Sequence, residues 1–366
     1  MRPEAKARTT PGPVRRLLRE RKAAVGMIFA LLAVPVIMAI GASVDYARLE
    51  QFKTQLQAMT DSAALSGASA YLDSTQSTNA KTVATNFMTS NINLLPAHTG
   101  TITPSVTATQ VTTGNNQGYT VTVTATAQIN TTFMRIVTNT LSVSTTSVAV
   151  NPKVQITISL NGFKSSAGDA NTLYYWLPAT GANTTAPSVS TFTSSNKLAA
   201  NTSSSNPDVT FTATATQKIG IALKNVTGGN TGWYGCTQYE TASGYYSQSQ
   251  CYLHTQWFFS NLMPPANNSN NLSGYTSVSK DCNLLTALNT TAPTSLTPPS
   301  SGSCLTTQPS NALFSCSDLN GQYMTQYWND MGGTTDDYDY NDAEITISCG
   351  GITGSGNAAT GVYLAQ

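Results

Sequence analysis

The stretch AAVGMIFALLAVPVIMAIGASV, residues 23–44, holds no ionisable side chain. As a helix it runs about 33 Å at 1.5 Å per residue, close to the roughly 30 Å of a bilayer's hydrocarbon layer. Arg15, Arg16, Arg19, Arg21 and Lys22 precede it, and Asp45 follows. Basic residues beside a span stay cytoplasmic. The pattern therefore predicts a cytoplasmic tail over 1–22, a membrane helix over 23–44, and a body outside from residue 45. Pro35 is compatible with such a helix, because neighbouring groups can satisfy the carbonyl it frees. A cleaved secretory signal shares the basic start and apolar middle, but its apolar core is usually only about 7 to 15 residues. Cleavage near Gly41-Ala42-Ser43 is the alternative, and it makes the chain a secreted adhesive or matrix protein.

Beyond the span, charge is scarce. Charged residues make up 10% of the 366, against about a quarter in ordinary soluble domains. Thr, Ser, Asn and Gly take their place, which suits short strands and polar turns. The net charge of +1 conceals a gradient. Residues 1–22 hold eight Lys/Arg and two Glu, a net +6, whereas residues 281–366 hold eight Asp/Glu and no Lys or Arg, a net −8. The basic tail reads as a topology signal, and the acidic end repels nucleic acid while suiting a hard cation. All six cysteines (Cys236, Cys251, Cys282, Cys304, Cys316 and Cys349) lie in the exported part, as disulfides of an oxidising compartment do. Fifteen pairings are possible; neighbour pairing, 236 with 251, 282 with 304 and 316 with 349, is the expectation. With no CxxC pair, zinc is not expected.

After the span, Leu49, Phe52, Leu56, Met59 and Ala63 step by three and four, an apolar seam on an otherwise polar helix. No Gly or Pro interrupts 44–66, so the membrane helix is expected to continue, its seam packing on the protein's own sheet. Val83, Ala84, Phe87 and Met88 predict a second short helix ending before Pro96. The period then changes to two. YTVTVTATAQI (119–129) and LSVSTTSVAV (141–150) alternate apolar and hydroxyl residues as half-buried strands do, with a Gly114-Asn115-Asn116 turn before the first. TTFMRIV (131–137) between them fits one helical turn. Residues 45–150 thus read as an α+β module of helix plus antiparallel sheet. Residues 151–204 read as a strand, KVQITISL, and a Ser/Thr/Asn-rich connection. Residues 205–350 read as a mainly β domain with strands VTFTATA, KIGIALKNV and AEITISC, and 351–366 as a tail. The Asn/Ser/Thr/Pro-rich segment 264–309 reads as a long loop outside the core.

RERKAAVGMIFALLAVPVIMAIGASVDYARLEQFKTQLQAMTDSAALSGA (19–68) resembles the N-terminal region of TadG-like proteins of the Flp (tight adherence) pilus system. The features that carry the likeness are the AVxMIFALxxxP segment, Asp45-Tyr46, and Asp61-Ser62-Ala63-Ala64-Leu65. It covers about residues 20–70 and, loosely, the sheet to 150. It implies a small pilin-like module anchored in the bacterial inner membrane, with other Tad/Flp pilus components as partners. Cleaved pseudopilins carry Glu five residues after the processing Gly, and here Leu31 follows Gly26 at that distance. An assembly or anchoring role is therefore expected over a polymerising subunit. Many TadG-like proteins carry a von Willebrand A domain next, whose metal site needs a strand ending in DxSxS; ITISLNGFKSS has no Asp, so that domain is not expected.

YWNDMGGTTDDYDYNDAEITISC (327–349) is the densest polar constellation. Asp337, Asp339 and Asn341 alternate, Asp342 follows, and Asp330 and Asp336 lie close by. Calcium takes six to eight oxygens, and such a loop supplies several, so Ca2+ is the expected ion. An EF-hand is rejected: Asp342 occupies the sixth position, where Gly is needed, and Ser348 the twelfth. The same stretch, with Trp328, Gly332 and Gly333, and IGIALKN (219–225) upstream, resembles DUF4114-type domains. Those are exported β-domains of bacterial surface proteins, and the likeness over about 205–350 implies a jelly-roll-like sandwich. His98 and His254 are the only histidines, with no GxSxG elbow and no phosphate loop. Asp330 and Asp339 could pair as glycosidase carboxylates, as any acidic loop could, which leaves an enzyme acting on wall polymers as the third reading. The expected protein is a non-enzymatic inner-membrane anchor, its β-domain contacting a surface glycan, peptidoglycan or protein.

Overall fold

The structure is a computed structural model describing residues 21–95, 101–112, 117–164, 169–179, 185–226, 239–241, 244–246, 255–262, 284–294, 313–329, 340–351 and 361–365. The chain divides into two compact units: Met1–Ala63, Thr85–Val106 and Val123–Ser147 form one, and Ala64–Ala84, Thr107–Thr122 and Val148–Gln366 the other.

The first unit is organised by helix α1 (Arg21–Ser69), 49 unbroken residues with Pro35 inside. Its two halves differ in what covers their apolar residues. From Val25 to Ile40 the large side chains are exposed, Phe29 at 74% and Leu31 at 77%. Further on, Phe52, Leu56, Met59 and Ala63 are buried, as the spacing of the seam requires. Among the described residues this is the one helix long and apolar enough to cross a membrane. The expected continuous helix is therefore present.

The seam meets a two-stranded segment formed by the ends of β2 (Gly118–Asn130) and β3 (Thr140–Gly162). Period-two alternation sorts their faces. Val123, Ala125, Ala127, Ile129, Val143 and Thr145 are buried, while the outward hydroxyls pair across the strands, Thr124 with Thr146 and Thr126 with Ser144, both at 3.0 Å. Polar groups on α1 tie the helix to β3: Gln57 Nε2 donates to Ser147 Oγ at 2.9 Å and Thr60 Oγ1 to Thr145 Oγ1 at 3.4 Å, and Ser147 donates to Asp61. Helix α2 (Ser77–Asn91) follows as expected, with Ala84 and Met88 buried. TTFMRIV contains the expected single turn, a 3-10 turn at Met134–Ile136.

The second unit is a β-sandwich. Its strands β4 (Ala170–Trp176), β5 (Lys197–Ala200), β7 (Gly220–Val226) and β10 (Thr255–Phe259) form a four-stranded antiparallel sheet in the order β10-β7-β4-β5. With β1 (Ser105–Val111), β11 (Leu284–Asn289), β12 (Tyr323–Trp328) and β13 (Ala343–Gly350), a larger sheet runs β1-β2-β3-β13-β12-β11. Strands β6 (Val209–Thr214) and β14 (Tyr363–Leu364) also pair β3. A short hairpin, β8 (Tyr239–Thr241) with β9 (Gly244–Tyr246), stands apart from both sheets.

Alternation again decides the packing. Leu173, Ile221, Leu223 and Phe258 of the smaller sheet join Ile156, Ile158, Trp328, Ile345 and Ile347 of the larger in one core. The opposite face of the smaller sheet, Trp176, Ala222, Trp257 and Phe259, packs under Phe192 and Leu262. Both faces of that sheet are therefore covered. Helix α3 (Cys316–Leu319) is joined to β13 by the disulfide Cys316–Cys349, one of the expected pairs.

Two expectations need correction. Residues 284–289, inside the segment read as a loop, form β11, whose Leu284 is 1% exposed in the main core and pairs Trp328. The surrounding Ser, Thr, Asn and Pro dilute a six-residue strand below recognition. The supposed connection over 151–204 contributes the second half of β3 together with β4 and β5, so it is part of the sandwich. Strand β3 runs straight through residue 150 because Pro152 sits between ladder bonds: its neighbour Lys153 donates to Gln117 O, and its own carbonyl accepts from Ala215 N.

Leu56 is fully buried whereas Gln55 is exposed. Leu56→Ala should cost about 2–5 kcal/mol, and Gln55→Ala no more than about 0.5 kcal/mol. Hydrogen exchange at the amides of 123–127 in the detergent-solubilised chain measures both.

Candidate functional site

The seam of α1 extends backwards in register. Positions 41, 45, 49, 52, 56, 59 and 63 follow one stripe, and at its membrane end the stripe places Gly41 and Asp45 one turn apart on the same face. Asp45 is 1% exposed. Its carboxylate accepts three backbone N–H bonds from the turn that joins β2 to β3: Thr132 at 2.9 Å, Phe133 at 2.8 Å and Met134 at 2.7 Å. These amides open a 3-10 turn and have no partner within it. Arg48 lies 3.6 Å from the same carboxylate and also donates to Thr132 Oγ1.

The turn is closed on itself as well. Val137 and Thr138 donate to Met134 O at 2.8 and 2.9 Å, and Thr131 N to Asn139 O at 3.0 Å. Gly41 lets it approach: a Cβ there would lie 2.4 Å from Phe133 Cβ and 2.8 Å from its Cγ. Burial pushes the Asp45 carboxyl up, but the three amides and Arg48 together outweigh it and hold the group below the usual carboxylate range. The arrangement joins helix to hairpin and has no nucleophile–base pair.

Of the residues expected to hold calcium, Asn341 and Asp342 lie among the described residues. Asp330, Asp336, Asp337 and Asp339 lie outside them. Asp342 is buried at the start of β13, its N–H donating to Trp328 O at 3.1 Å. Tyr340 before it is fully buried, with φ at 50°, a left-handed conformation uncommon for a bulky residue, and packs with Leu285 and Tyr327. Among the described residues, no group of three His, Cys, Asp or Glu gathers as a metal site would require. Cys236, Cys251, Cys282, Cys304, His98, His254, Arg15, Arg16 and Arg19 also lie outside, while Arg21 and Lys22 begin α1.

The second unit holds a cleft of about 440 Å³, lined by Asp73, Tyr119, Lys153, Thr214 and Gln217 among others. Lys153 Nζ stands 5.6 Å above the Tyr119 ring, and the buried Thr214 hydroxyl has no protein partner.

Residues 23–70 match the family model described as "Putative Flp pilus-assembly TadE/G-like". The TadE/G-like segment coincides with the apolar run, Gly41, Asp45 and the seam, and it ends where α1 ends. No curated protein and no solved structure matches the chain. Sequence reading placed Asp45 in a family block but missed its function; the signal was its seam register, where a charge is out of place unless it has donors.

Asp45→Ala leaves three turn amides without their acceptor, a loss of about 1–3 kcal/mol, read as lost exchange protection at 132–134. Because the folded pKa is depressed, the stabilisation is complete above the ordinary carboxylate range, about pH 4, and is lost as pH falls through the folded value. Protection at 132–134 should hold from pH 7 to 5 and fall below 4. In Asp45→Asn the acid-dependent step should vanish, since nothing there titrates.

Proposed function

We propose that the chain is a non-enzymatic, single-span protein of Flp/Tad pilus assembly or surface anchoring. Residues 1–22 are cytoplasmic, 23–44 cross the bacterial inner membrane, and the sandwich is displayed outside. The observation that carries this reading is α1 itself. One continuous helix leaves its apolar side chains uncovered through residue 40, buries them from residue 52 onward, and coincides with the TadE/G-like match. A helix exposing residues such as Phe29, Leu31 and Ile37 in water would be unfavourable, and a bilayer removes that cost.

Phosphatase fused after residue 70 should be active and fused after residue 20 inactive, with the intact chain in the inner-membrane fraction and Flp-type pili lost on deletion of the gene. A mature chain starting near Ala42 and recovered from the medium would overturn the anchor.

The acidic segment 330–342 extends this reading to a calcium-rigidified, jelly-roll-like domain resembling DUF4114, contacting a surface glycan, peptidoglycan or protein. Its support is the local excess of carboxylates, with no Lys or Arg beyond residue 280. Calcium at a hundredfold excess over Kd should raise the melting temperature of the full chain by roughly 5–10 °C, and Asp337→Asn with Asp339→Asn should abolish the rise. No calorimetric heat and an unchanged melting temperature would sink the ion.

A further inference from the structure

The tip of the β2–β3 hairpin exposes an apolar cluster: Phe133 is 52% exposed, Ile136 82% and Val137 74%. Single exposed apolar residues are ordinary, but three within five positions form a patch that calls for a partner. Its location within the first unit identifies that partner. Phe133 packs on Gly41, which lies inside the uncharged run, three residues or about 4.5 Å of helix before its end at Val44. Asp45 at the end of the run grips the same turn through its amides. Helix and turn are thus locked together at the level where the helix leaves the hydrocarbon. From Thr131 to Asn139 there is no acidic residue, and the one charge, Arg135, is exposed.

We propose that residues 133–137 insert into the headgroup–acyl boundary of the leaflet from which α1 emerges, as a second membrane contact. Phe133, Ile136 and Val137 enter the outer edge of the acyl chains, at the depth where aromatic and amphipathic anchors settle. Arg135 reaches to the lipid phosphates while its stem stays among the apolar side chains. The Asp45 bonds satisfy the turn's leading amides internally, which lets this piece of irregular backbone sit against lipid. A span alone leaves a helix free to tilt and rotate about its axis; a second contact, rigidly joined to it, fixes both.

The inference rests on the membrane-anchor reading, and one experiment separates the two. An environment-sensitive fluorescent amino acid is placed singly at Ile37, Ile136 and Gln55 of the full chain in phosphatidylcholine–phosphatidylglycerol vesicles. Nitroxide-labelled lipids then quench it from shallow or deep positions. Gln55, ten residues or about 15 Å beyond Asp45, is the aqueous reference. The expected result is deep-label quenching at 37, shallow-label quenching with a blue-shifted emission at 136, and no quenching at 55. Quenching at 37 with 136 behaving like 55 overturns the insertion and leaves the anchor standing. No quenching at 37 overturns both. Asp45→Ala should abolish shallow quenching at 136 while leaving 37 unchanged; its persistence would show that the tip reaches lipid without the lock and would overturn the rigid coupling.

Discussion

The structure depends on one buried carboxylate at a place where burial is costly. Asp45 sits in the apolar seam of α1, directly after 22 residues without an ionisable group. A charge removed from water without donors would neutralise or unfold its surroundings. Arg48, one turn further along the same helix, and three converging amides resolve the problem, and the amides do so only if the 131–134 turn comes within hydrogen-bonding distance. Gly41 is what permits that approach. The spacing of a glycine and an aspartate one turn apart therefore links the helix's register to the hairpin's position. A slip of the helix by one residue against the sheet would remove both at once.

With that junction fixed, the remainder of the first unit follows from two periodicities meeting. The helical stripe through Phe52, Leu56 and Met59 and the period-two face through Val123, Ala125 and Ala127 are both apolar, so each supplies what the other must cover. Gln57, Thr60 and Asp61 place polar groups beside the stripe, where Thr145 and Ser147 answer them. Such pairs contribute modestly to stability, but unlike apolar contacts they are directional, so they discriminate between registers. The sandwich uses alternation differently. Its smaller sheet is apolar on both faces, one toward the main core and one under Phe192, so its strands read as nearly continuous apolar runs such as IGIAL.

Legibility in the sequence tracked the length and purity of each pattern. The 49-residue helix, both long alternating strands and the single turn in TTFMRIV were visible, because each is set by local periodicity. Strand β11 was not: LLTALN is six residues within a polar segment, and what makes it a strand is pairing with β12, more than 30 residues later. The function of Asp45 was hidden for the same reason, since its three donors lie 87 to 89 residues away. For the Cys316–Cys349 pair the sequence offers only the order of the cysteines, and the fold supplies the reason: α3 and β13 pack in the same core. Of the acidic loop, the described residues place Asn341 and Asp342 at the start of β13, directly after the buried, left-handed Tyr340.

The TadE/G-like match stops at residue 70, and physically that boundary cannot be a domain boundary. The matched segment is one helix, and its outer half presents a buried face, a buried carboxylate and three polar side chains whose bonds within the segment, Arg48 to Asp45 and Gln57 to Asp61 among them, do not complete them. The rest of their partners, the three turn amides, Thr145 and Ser147, come from 123–147, beyond the match. An isolated copy of residues 23–70 would keep the span but leave Phe52, Leu56 and Asp45 in water, where a lone helix has little reason to stay ordered beyond the membrane. What the matched segment encodes is half of an interface: a membrane helix with an apolar face, a glycine and an aspartate at set positions. Any chain that uses it in this way must provide a strand pair and a short turn with free leading amides at its tip. The segment's own pattern therefore calls for the strand pair and turn of the α+β module that follows.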